Sequence, residues 1–155
     1  MKYKQFKTLL IAAFLTAAIA SGAEPAVGTW KLNVAKSKLT DVPKSQVATM
    51  TQAGSERTIE THTVAADGKE THNKTATTFD GKEHPYTGTT GGYDSYVARG
   101  SANGYSSVVT YKKGGKVVRT YRAVYSQDGK TRTGTAKGVD GSGKAYTNVY
   151  VYDRQ

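Results

Sequence analysis

The sequence contains no cysteine and very few large aliphatic residues. Without cysteine the chain has no disulfides and no thiolate ligands, so its stability must come from burial and backbone hydrogen bonding. From Glu24 onward there are 14 Val but only two Leu, one Ile and one Phe, against 20 Thr and 10 Tyr. This scarcity excludes an interior filled by close-packed aliphatic side chains. The abundant Tyr, Thr and Val suit a pleated sheet, and they predict a hollow interior that holds water and a ligand.

Motifs of known catalytic chemistry are missing as well. The chain has no cysteine nucleophile, no G-x-S-x-G and no H-E-x-x-H. We therefore predict that the protein is not an enzyme and uses no cofactor. A sustained helical period is also lacking after residue 23, which argues against a helical domain.

The N-terminal segment has the pattern of a secretory signal peptide. Three lysines precede an apolar, alanine-rich stretch over residues 8–20, and small residues allow cleavage after Ala20 or Ala23. An apolar stretch this short favours a cleaved signal over a membrane anchor. We therefore predict a signal peptide over 1–23, a single domain over 24–155 and a secreted or periplasmic location.

Acidic side chains are outnumbered by basic ones. The full chain has 22 Lys and Arg against 12 Asp and Glu, a formal net charge of +10. Without the three lysines of the predicted signal, 19 basic and 12 acidic groups remain, which leaves a charge of +7. Such a charge favours anionic partners, and for an exported protein a small acid or an anionic envelope surface fits better than nucleic acid. The alternative is a solvated lysine rim that keeps sheet edges from aggregating.

Glycine-containing turns recur along the chain and separate strand-length runs of Thr, Val and Tyr. Asp-Gly and Gly-Gly pairs supply the positive φ that tight hairpin loops require. The predicted hairpin turns are Asp67-Gly68, Asp80-Gly81, Gly114-Gly115 and Asp128-Gly129. The predicted strands are 27–34, 46–53, 56–65, 69–79, 82–87, 93–100, 104–112, 116–126, 130–138 and 144–153. Tight connections favour closure, so the predicted fold is all-β, a single antiparallel up-and-down β-barrel of about ten strands.

The hairpin around Asp67-Gly68 can be assigned a register. A three-residue loop over 66–68 makes residues whose numbers sum to 134 face each other, which sets Glu60 opposite Lys74. A slip of one residue would mix charges into both faces. The opposite face collects Ile59, Thr61, Thr63, Ala65, Thr71, Asn73, Thr75, Thr77 and Phe79. We expect this threonine-rich face to line the cavity.

The three histidines raise the question of a metal site, which Glu60 or Glu70 could complete. The same register sets His62 opposite His72 on the outer face of the sheet. An exposed sheet gives ligands little second-shell support, so we predict no metal site. A pH-responsive surface pair is the alternative reading of these two histidines.

The hairpin around Gly114-Gly115 predicts ligand-binding residues. A two-residue loop places Arg122 on the same, more apolar face as Tyr105 and Tyr111. A buried guanidinium needs an acceptor or an anion, so Arg122 is the predicted receptor for an acid group. The alternative is that Arg122 points outward, because Arg119 belongs to the opposite face of this strand.

Both ends of the domain resemble the calycins, the superfamily of lipocalins and intracellular fatty-acid-binding proteins. Gly28-Thr29-Trp30 opens the first strand and is similar to the G-x-W signature of that superfamily. The longer stretch 27–39 resembles uncharacterised secreted bacterial proteins of lipocalin-like type. The chain ends in the residues 151–155, which are similar to the terminal strand of fatty-acid-binding proteins.

This resemblance implies roles for particular residues. The residues that it assigns to the floor of the barrel are Gly28, Trp30 and Arg154. It also implies a carboxylate site in which Arg122 and Tyr152 occupy two of the family's positions. Tyr150 stands where the family has a second arginine, which is a departure from the pattern.

We therefore predict a secreted or periplasmic protein that binds a small amphipathic or acidic, fatty-acid-like molecule in a Thr/Tyr-lined barrel cavity. The predicted ligand-binding residues are Arg122, Tyr150, Tyr152, Tyr105 and Tyr111. The alternative is a non-enzymatic interaction module that docks on an anionic envelope surface through its basic outer face. Neither reading involves nucleic acid or a transmembrane segment in the mature chain.

Overall fold

The computed structural model describes residues 24–155, which form β-strands linked by turns and loops. The predicted signal peptide over 1–23 lies outside the described residues. The strands are β1 (Gly28–Leu32), β2 (Ser45–Ala53), β3 (Glu56–Val64), β4 (Glu70–Thr78), β5 (Glu83–Pro85), β6 (Ser95–Gly100), β7 (Ser106–Lys113), β8 (Lys116–Tyr125), β9 (Thr131–Val139) and β10 (Ala145–Arg154). A single 3₁₀ turn, Val34–Lys36, lies in the connection from β1 to β2. Within this range no helix has the length and apolar character needed to span a bilayer.

All ten strands belong to one antiparallel sheet that rolls into a nearly closed barrel. The strand order is β4-β3-β2-β1-β10-β9-β8-β7-β6-β5, so the first and last strands pair with each other. Sequential neighbours pair throughout, except that β4 and β5 remain as the two edges. The predicted all-β, ten-stranded antiparallel barrel is confirmed.

The connection between β4 and β5 differs from the predicted hairpin. Gly81 has the expected positive φ, 77°, but the strands on either side of it do not pair. The Phe79 N–H donates to the Ser55 carbonyl at 2.8 Å, and the Gly81 N–H donates to the Ala98 carbonyl of β6 at 2.9 Å. The segment therefore crosses the gap from one edge to the other, and β5, which contains Pro85, pairs only with β6. The prediction of a hairpin at this turn is wrong.

The β3–β4 hairpin keeps one register along its whole length. Its partners sum to 134 over nine pairs, including Glu60 with Lys74 and His62 with His72. The Lys74 ammonium lies 2.7 Å from the Glu60 carboxylate on the outer face. The predicted register is confirmed, because the turn at Gly68, where φ is 90°, sets it and no bulge interrupts it.

The β7–β8 hairpin changes register partway along. Near the turn Lys112 pairs with Val117, but the next pair is Tyr111 with Arg119. Val118 is therefore an extra residue on β8, which is the count that defines a β-bulge. Beyond the bulge every side chain of β8 faces the side opposite to the one that an uninterrupted two-residue hairpin would give.

The larger of two buried clusters lies at one end of the barrel, which we call the floor, and a smaller one, formed by Tyr96, Ala98 and Val109, lies on β6 and β7. Trp30 and Met50 are the largest fully buried side chains at the floor. The buried residues packed with them are Ala26, Leu32, Ala48, Ala123, Tyr125 and Tyr152. The opposite end, the mouth, carries the β3–β4 turn and the loop between the 3₁₀ turn and β2, and the barrel between floor and mouth is hollow.

Candidate ligand-binding cavity

An internal cavity of about 250 Å³ adjoins the floor. One wall is formed by β3 and β4, and its polar lining is mainly threonine. The threonines of that wall are Thr61, Thr63, Thr75 and Thr77. This is the face that the register of the hairpin predicted to point inward, and that prediction is confirmed. Arg57 on β3 belongs to this same wall, and the opposite walls carry two further arginines and five tyrosines, which together give the cavity its chemistry.

Arg132 is one of two cavity arginines that are 5% exposed, the other being Arg57. Arg132 is directly opposite Tyr152 on β10 and stacks over that ring at 4.6 Å. One of its Nη atoms donates to the Tyr121 hydroxyl at 2.7 Å. Its Nε is buried and has no hydrogen-bond partner among the described residues. The guanidinium is therefore held in place by aromatic rings while one donor stays unused.

Arg119 lies nearer the mouth and has a similar setting. It stacks beside the rings of Tyr111 and Tyr121 at 5.5 and 5.7 Å, and its Nη1 donates to the Tyr93 hydroxyl at 3.3 Å. Its Nε is also buried without a partner in the described part of the chain. Arg119 and Arg132 thus lie beside the same Tyr121 ring, each with an unused donor.

Arg57 is the third cavity arginine and differs from the other two because it has a carboxylate partner. Its Nε and Nη2 donate to the Gln52 amide oxygen at 3.0 and 2.7 Å, and its guanidinium lies 4.6 Å from the centre of the Phe79 ring. The Glu24 carboxylate lies 3.7 Å away. This is the one ion pair made by a cavity arginine within residues 24–155. Two of the three cationic groups therefore face the cavity without a carboxylate.

The tyrosines cannot neutralise this charge. Burial raises the pKa of Tyr111, Tyr121 and Tyr152, so their hydroxyls remain protonated at neutral pH. Neutral phenols can donate or accept hydrogen bonds, but they carry no negative charge. The Tyr152 hydroxyl already donates to the Gln46 amide oxygen at 2.5 Å.

The arginines themselves stay charged. For Arg132, burial acts to lower the pKa, but the oxygens of the surrounding tyrosines outweigh it and the pKa is raised. The same balance raises the pKa of Arg119. Burial lowers the pKa of Arg57, and its like-charged neighbour Arg132 acts in the same direction. Three positive charges therefore share one small space, and the field inside it favours an anion.

Gly134 on β9 makes room for the tyrosine between the arginines. A Cβ at this position would overlap the Tyr121 hydroxyl. Because Gly134 has no side chain, the Tyr121 ring can lie flat across β9 and reach the Arg132 guanidinium. The small residue on β9 thereby fixes the position of a hydrogen-bonding group in the cavity.

The floor residues implied by the resemblance lie together. The Trp30 indole N–H donates to the Ala26 carbonyl at 2.9 Å, and the Arg154 guanidinium lies 4.2 Å above the Trp30 ring. Arg154 also donates to the carbonyls of Gly129, Val27 and Pro25 at 2.5, 2.6 and 2.6 Å. A Cβ on Gly28, whose φ is 132°, would lie 2.6 Å from the Arg154 guanidinium.

Three of the five predicted ligand-binding residues line the cavity, namely Tyr111, Tyr150 and Tyr152. Tyr105 does not. It precedes β7, packs against the floor cluster, and its carbonyl accepts from the Tyr125 N–H at 2.9 Å.

Arg122 does not line the cavity either, and the prediction that it points inward is wrong. It is exposed on the outer face of β8, opposite Val108. The cause is the bulge at Val118, which reverses the faces of β8 beyond the turn. Arg119 therefore takes the inward place that the uninterrupted hairpin assigned to Arg122.

Two of the cavity arginines could have been found in the sequence. Arg57 belongs to the inward face of β3 by the same alternation that places Ile59 and Thr61 there. Arg132 shares its face of β9 with Gly134 and Ala136, and such small residues across from large ones mark the inside of a narrow barrel. Arg119 depends on the bulge and has no comparable signal.

A second, more open cavity of about 680 Å³ lies at the mouth, between the loop over 40–43 and the β3–β4 turn. It shares Gln46, Thr63 and Tyr150 with the inner cavity, so the two cavities are adjacent. Its apolar lining includes Val42, which is 51% exposed, and Pro43.

Comparison with solved structures places this barrel among known folds. Zebrafish ileal bile acid-binding protein, solved in complex with cholic acid, has a TM-score of 0.54 and 14% sequence identity, over 84% of this chain and 99% of that one. The siderocalin Ex-FABP, described as having dual ligand specificities, has a TM-score of 0.40 and 12% identity over 84% of this chain and 74% of that one. The predicted calycin-type fold is confirmed. No protein-family model and no curated protein matches the sequence.

Proposed function

We propose that the protein binds a small acidic amphiphile and that Arg119 and Arg132 hold its acid group. The observation that carries this proposal is the pair of guanidinium groups beside Tyr121. Both lie in the cavity, neither has a carboxylate partner within residues 24–155, and each keeps a buried Nε without a partner. Burying a cation without an anion is costly, so an anionic ligand would stabilise the site. Charge-assisted hydrogen bonds contribute about 1.5–3 kcal/mol each.

The inner cavity fits the head of such a ligand better than the whole of it. Its volume, about 250 Å³, lies just below the range of about 300–1,000 Å³ that is typical of small-molecule sites. The adjacent outer cavity is larger and carries the apolar side chains of Val42 and Pro43. We infer that the acid group lies deep, near Arg132, and that the hydrocarbon part extends toward the mouth.

The cavity chemistry favours binding over catalysis. A general acid or base works best when its pKa lies near the operating pH. Here Arg119 and Arg132 remain charged, and burial raises the pKa of Tyr111, Tyr121 and Tyr152. Such groups hold an anion in place but do not exchange protons readily at neutral pH. We therefore propose a binding protein rather than an enzyme.

We further propose that the protein acts outside the cytoplasm, as the signal-like pattern over 1–23 predicts. N-terminal sequencing of the protein recovered from the periplasm or medium tests this point. A first residue at Ser21 or Glu24 supports export, whereas an intact Met1 in the membrane fraction contradicts it.

Calorimetric titration with a medium-chain saturated fatty acid and with its methyl ester tests the ligand class. The two probes share a hydrocarbon chain and differ in the negative charge. We expect the acid to bind at least about tenfold more tightly than the ester, since the loss of one charge-assisted hydrogen bond should lower the binding free energy by at least about 1.4 kcal/mol. The Arg132→Gln variant should bring the two affinities together. Native mass spectrometry with lipid extraction shows which molecule the protein carries when it is isolated.

Equal affinity for acid and ester would contradict the proposal, as would an absence of binding to either. In the second case the alternative, a module that docks on an anionic envelope surface, becomes the better account. Sedimentation with vesicles that contain anionic lipid distinguishes it, because that mode of binding weakens with added salt.

A further inference from the structure

The outer face of the β3–β4 hairpin brings together three side chains that ligate metals. The ligating atoms of His62, Glu70 and His72 all lie within 4.8 Å of one another. The His62 Nε2 is 3.1 Å from a Glu70 carboxylate oxygen. No other group of three His, Asp or Glu side chains is this close within residues 24–155. The cluster is on the outside of the barrel and shares no residue with the ligand cavity.

The backbone explains why the two imidazoles are so close. The Ala65 N–H donates to the Lys69 carbonyl at 2.8 Å, and hydrogen-bonded pairs alternate along an antiparallel ladder. His62 and His72 therefore form a non-hydrogen-bonded pair, in which the Cα atoms approach to about 4.5 Å. Their rings stack with centroids 4.1 Å apart and planes inclined by 6°.

The charged side chains around the cluster do not block the approach of a metal ion. The nearest cation on this face, Lys74, is paired with Glu60 at 2.7 Å. On the other side of β3, His62 is opposite Val47 of β2, which has no charge. Beyond β4 there is no further strand, because β4 is an edge of the sheet. An ion could therefore approach from solvent without displacing a packed side chain.

Contrary to the prediction from the sequence, we propose that His62, Glu70 and His72 bind a divalent transition-metal ion of the zinc type on the outer surface, because the structure brings their ligating atoms within 4.8 Å of one another. Two imidazoles and a carboxylate are a donor set that Zn²⁺ accepts, with bonds of about 2.0–2.2 Å. Tetrahedral coordination at such lengths separates adjacent donors by about 3.3 Å. The His62–Glu70 pair is already at this spacing, and a rotation of the exposed His72 ring completes the set. A fourth position stays open to water or another ligand.

Such an ion would join β3 to the edge strand β4 beside the gap in the barrel. Because it would bind the folded hairpin and not the separated strands, it would stabilise the fold by an amount that rises with the free ion concentration. The inference is independent of the proposed function, since the cluster and the cavity lie on opposite faces of the hairpin.

The test is calorimetric titration of the purified protein, without a histidine tag, with Zn²⁺. We expect one saturable site in the parent and a loss of more than about 10-fold in affinity for His72→Ala, since replacing even an outer-shell partner of a metal ligand typically costs about 10- to 100-fold. His84→Ala is the matched control. Its imidazole also contacts a carboxylate, Asp80, at 2.9 Å, but it has no second histidine beside it. This variant should bind Zn²⁺ as the parent does.

Two further readouts identify the ligands. Glu70→Gln should lower the affinity for Zn²⁺ by a smaller factor than His72→Ala does. Co²⁺ should give the visible absorption bands of a tetrahedral site in the parent and in His84→Ala alone. Zinc should also raise the thermal unfolding temperature of these two proteins and leave that of His72→Ala unchanged. Parent affinity no better than that of His72→Ala would overturn the proposal, as would an equal loss in His84→Ala.

Discussion

At the floor of the barrel the polar groups are satisfied and the side chains are tightly packed, whereas at the mouth the same sheet encloses open space. Trp30 is fully buried, and the Arg154 guanidinium above it makes three hydrogen bonds to backbone carbonyls. In the cavity that adjoins the floor, Arg119 and Arg132 each keep an unused buried donor. At the mouth Val42 remains half exposed beside an open cavity.

Folding stability and ligand binding therefore depend on different parts of the same sheet. A chain with few large aliphatics cannot fill a whole barrel, and the larger of its two packed clusters surrounds the single tryptophan. The remaining interior is polar, and its arginines lack carboxylate partners in the described residues. We therefore expect substitutions at the floor to lower the free energy of unfolding and substitutions in the cavity to change ligand affinity.

The largest effect on stability should come from Trp30→Ala. Removing a fully buried aromatic side chain typically lowers the free energy of unfolding by about 3–5 kcal/mol. At the mouth, Val42→Ala should change it by less than about 0.5 kcal/mol, since the side chain is 51% exposed. Urea unfolding followed by circular dichroism measures the stability of both variants. Circular dichroism is used because Trp30 is the sole tryptophan, so its fluorescence is lost in Trp30→Ala. Similar values for the two variants would contradict the division between floor and mouth.

A smaller effect on stability is expected from Gly28→Ala. The backbone there has a φ of 132°, and the new Cβ would lie 2.6 Å from the Arg154 guanidinium that covers Trp30. We expect a loss of about 1–3 kcal/mol, which is typical of backbone strain at such angles.

The matched control for this glycine is at the other end of the barrel. Gly141 lies in the β9–β10 turn at the mouth, has no positive φ, and an added Cβ there would meet nothing within 4 Å. Gly141→Ala should therefore leave the unfolding midpoint unchanged. If both alanine variants behave alike, the close approach of Arg154 to Gly28 is not what holds the floor.

The smallest effect should come from the aspartates in the turns. Each should make the stability of the fold depend on pH in the acid range, to a different extent at the floor and at the mouth. The hydrogen bond from Ser126 lowers the pKa of Asp128 in the floor turn, and the hydrogen bond from Ser142 lowers the pKa of Asp140 in the mouth turn. A lowered folded-state pKa stabilises the fold above the ordinary value of about 4, and the stabilisation is lost as the pH falls through the folded-state value.

Thermal unfolding of Asp128→Asn and Asp140→Asn between pH 7 and pH 2 measures this dependence. Each variant should melt below the parent at pH 7 and approach it at low pH. Asp128→Asn should differ more, because the Gly129 carbonyl in the same turn accepts from Arg154. A gap that widens at low pH would contradict the assigned pKa directions.

The β3–β4 and β7–β8 hairpins differ in how well the sequence predicts which of their residues line the cavity. In β3–β4 the turn sets the register and alternation carries it to Ile59 and beyond, so the threonine wall follows from residue order alone. In β7–β8 the turn is equally clear, but the bulge at Val118 reverses the faces. Nothing local to Val118 marks the bulge in the sequence, and the Val118 carbonyl lies against Gly138 of the neighbouring strand β9, where a Cβ would be only 2.6 Å from it.

The missing pairing between β4 and β5 could not be predicted from the sequence either. Asp80-Gly81 has the composition of a hairpin turn and its glycine does adopt a positive φ of 77°. Pairing depends on what the strands meet on either side, and here Gly81 donates to Ala98 across the barrel edge. Local turn chemistry therefore predicted the strands and most of their connections, while tertiary contacts decided which edges stay unpaired.

The central claim is that cavity arginines without a carboxylate receive the acid group of the ligand. Arg119 and Arg122 test it most directly, because they lie on the same strand and face opposite sides of the sheet. Calorimetric titration with the medium-chain fatty acid compares Arg119→Gln with Arg122→Gln. We predict that Arg119→Gln weakens binding about 10- to 100-fold and that Arg122→Gln binds as the parent does. Equal affinities for all three proteins, or a loss confined to Arg122→Gln, would contradict this account.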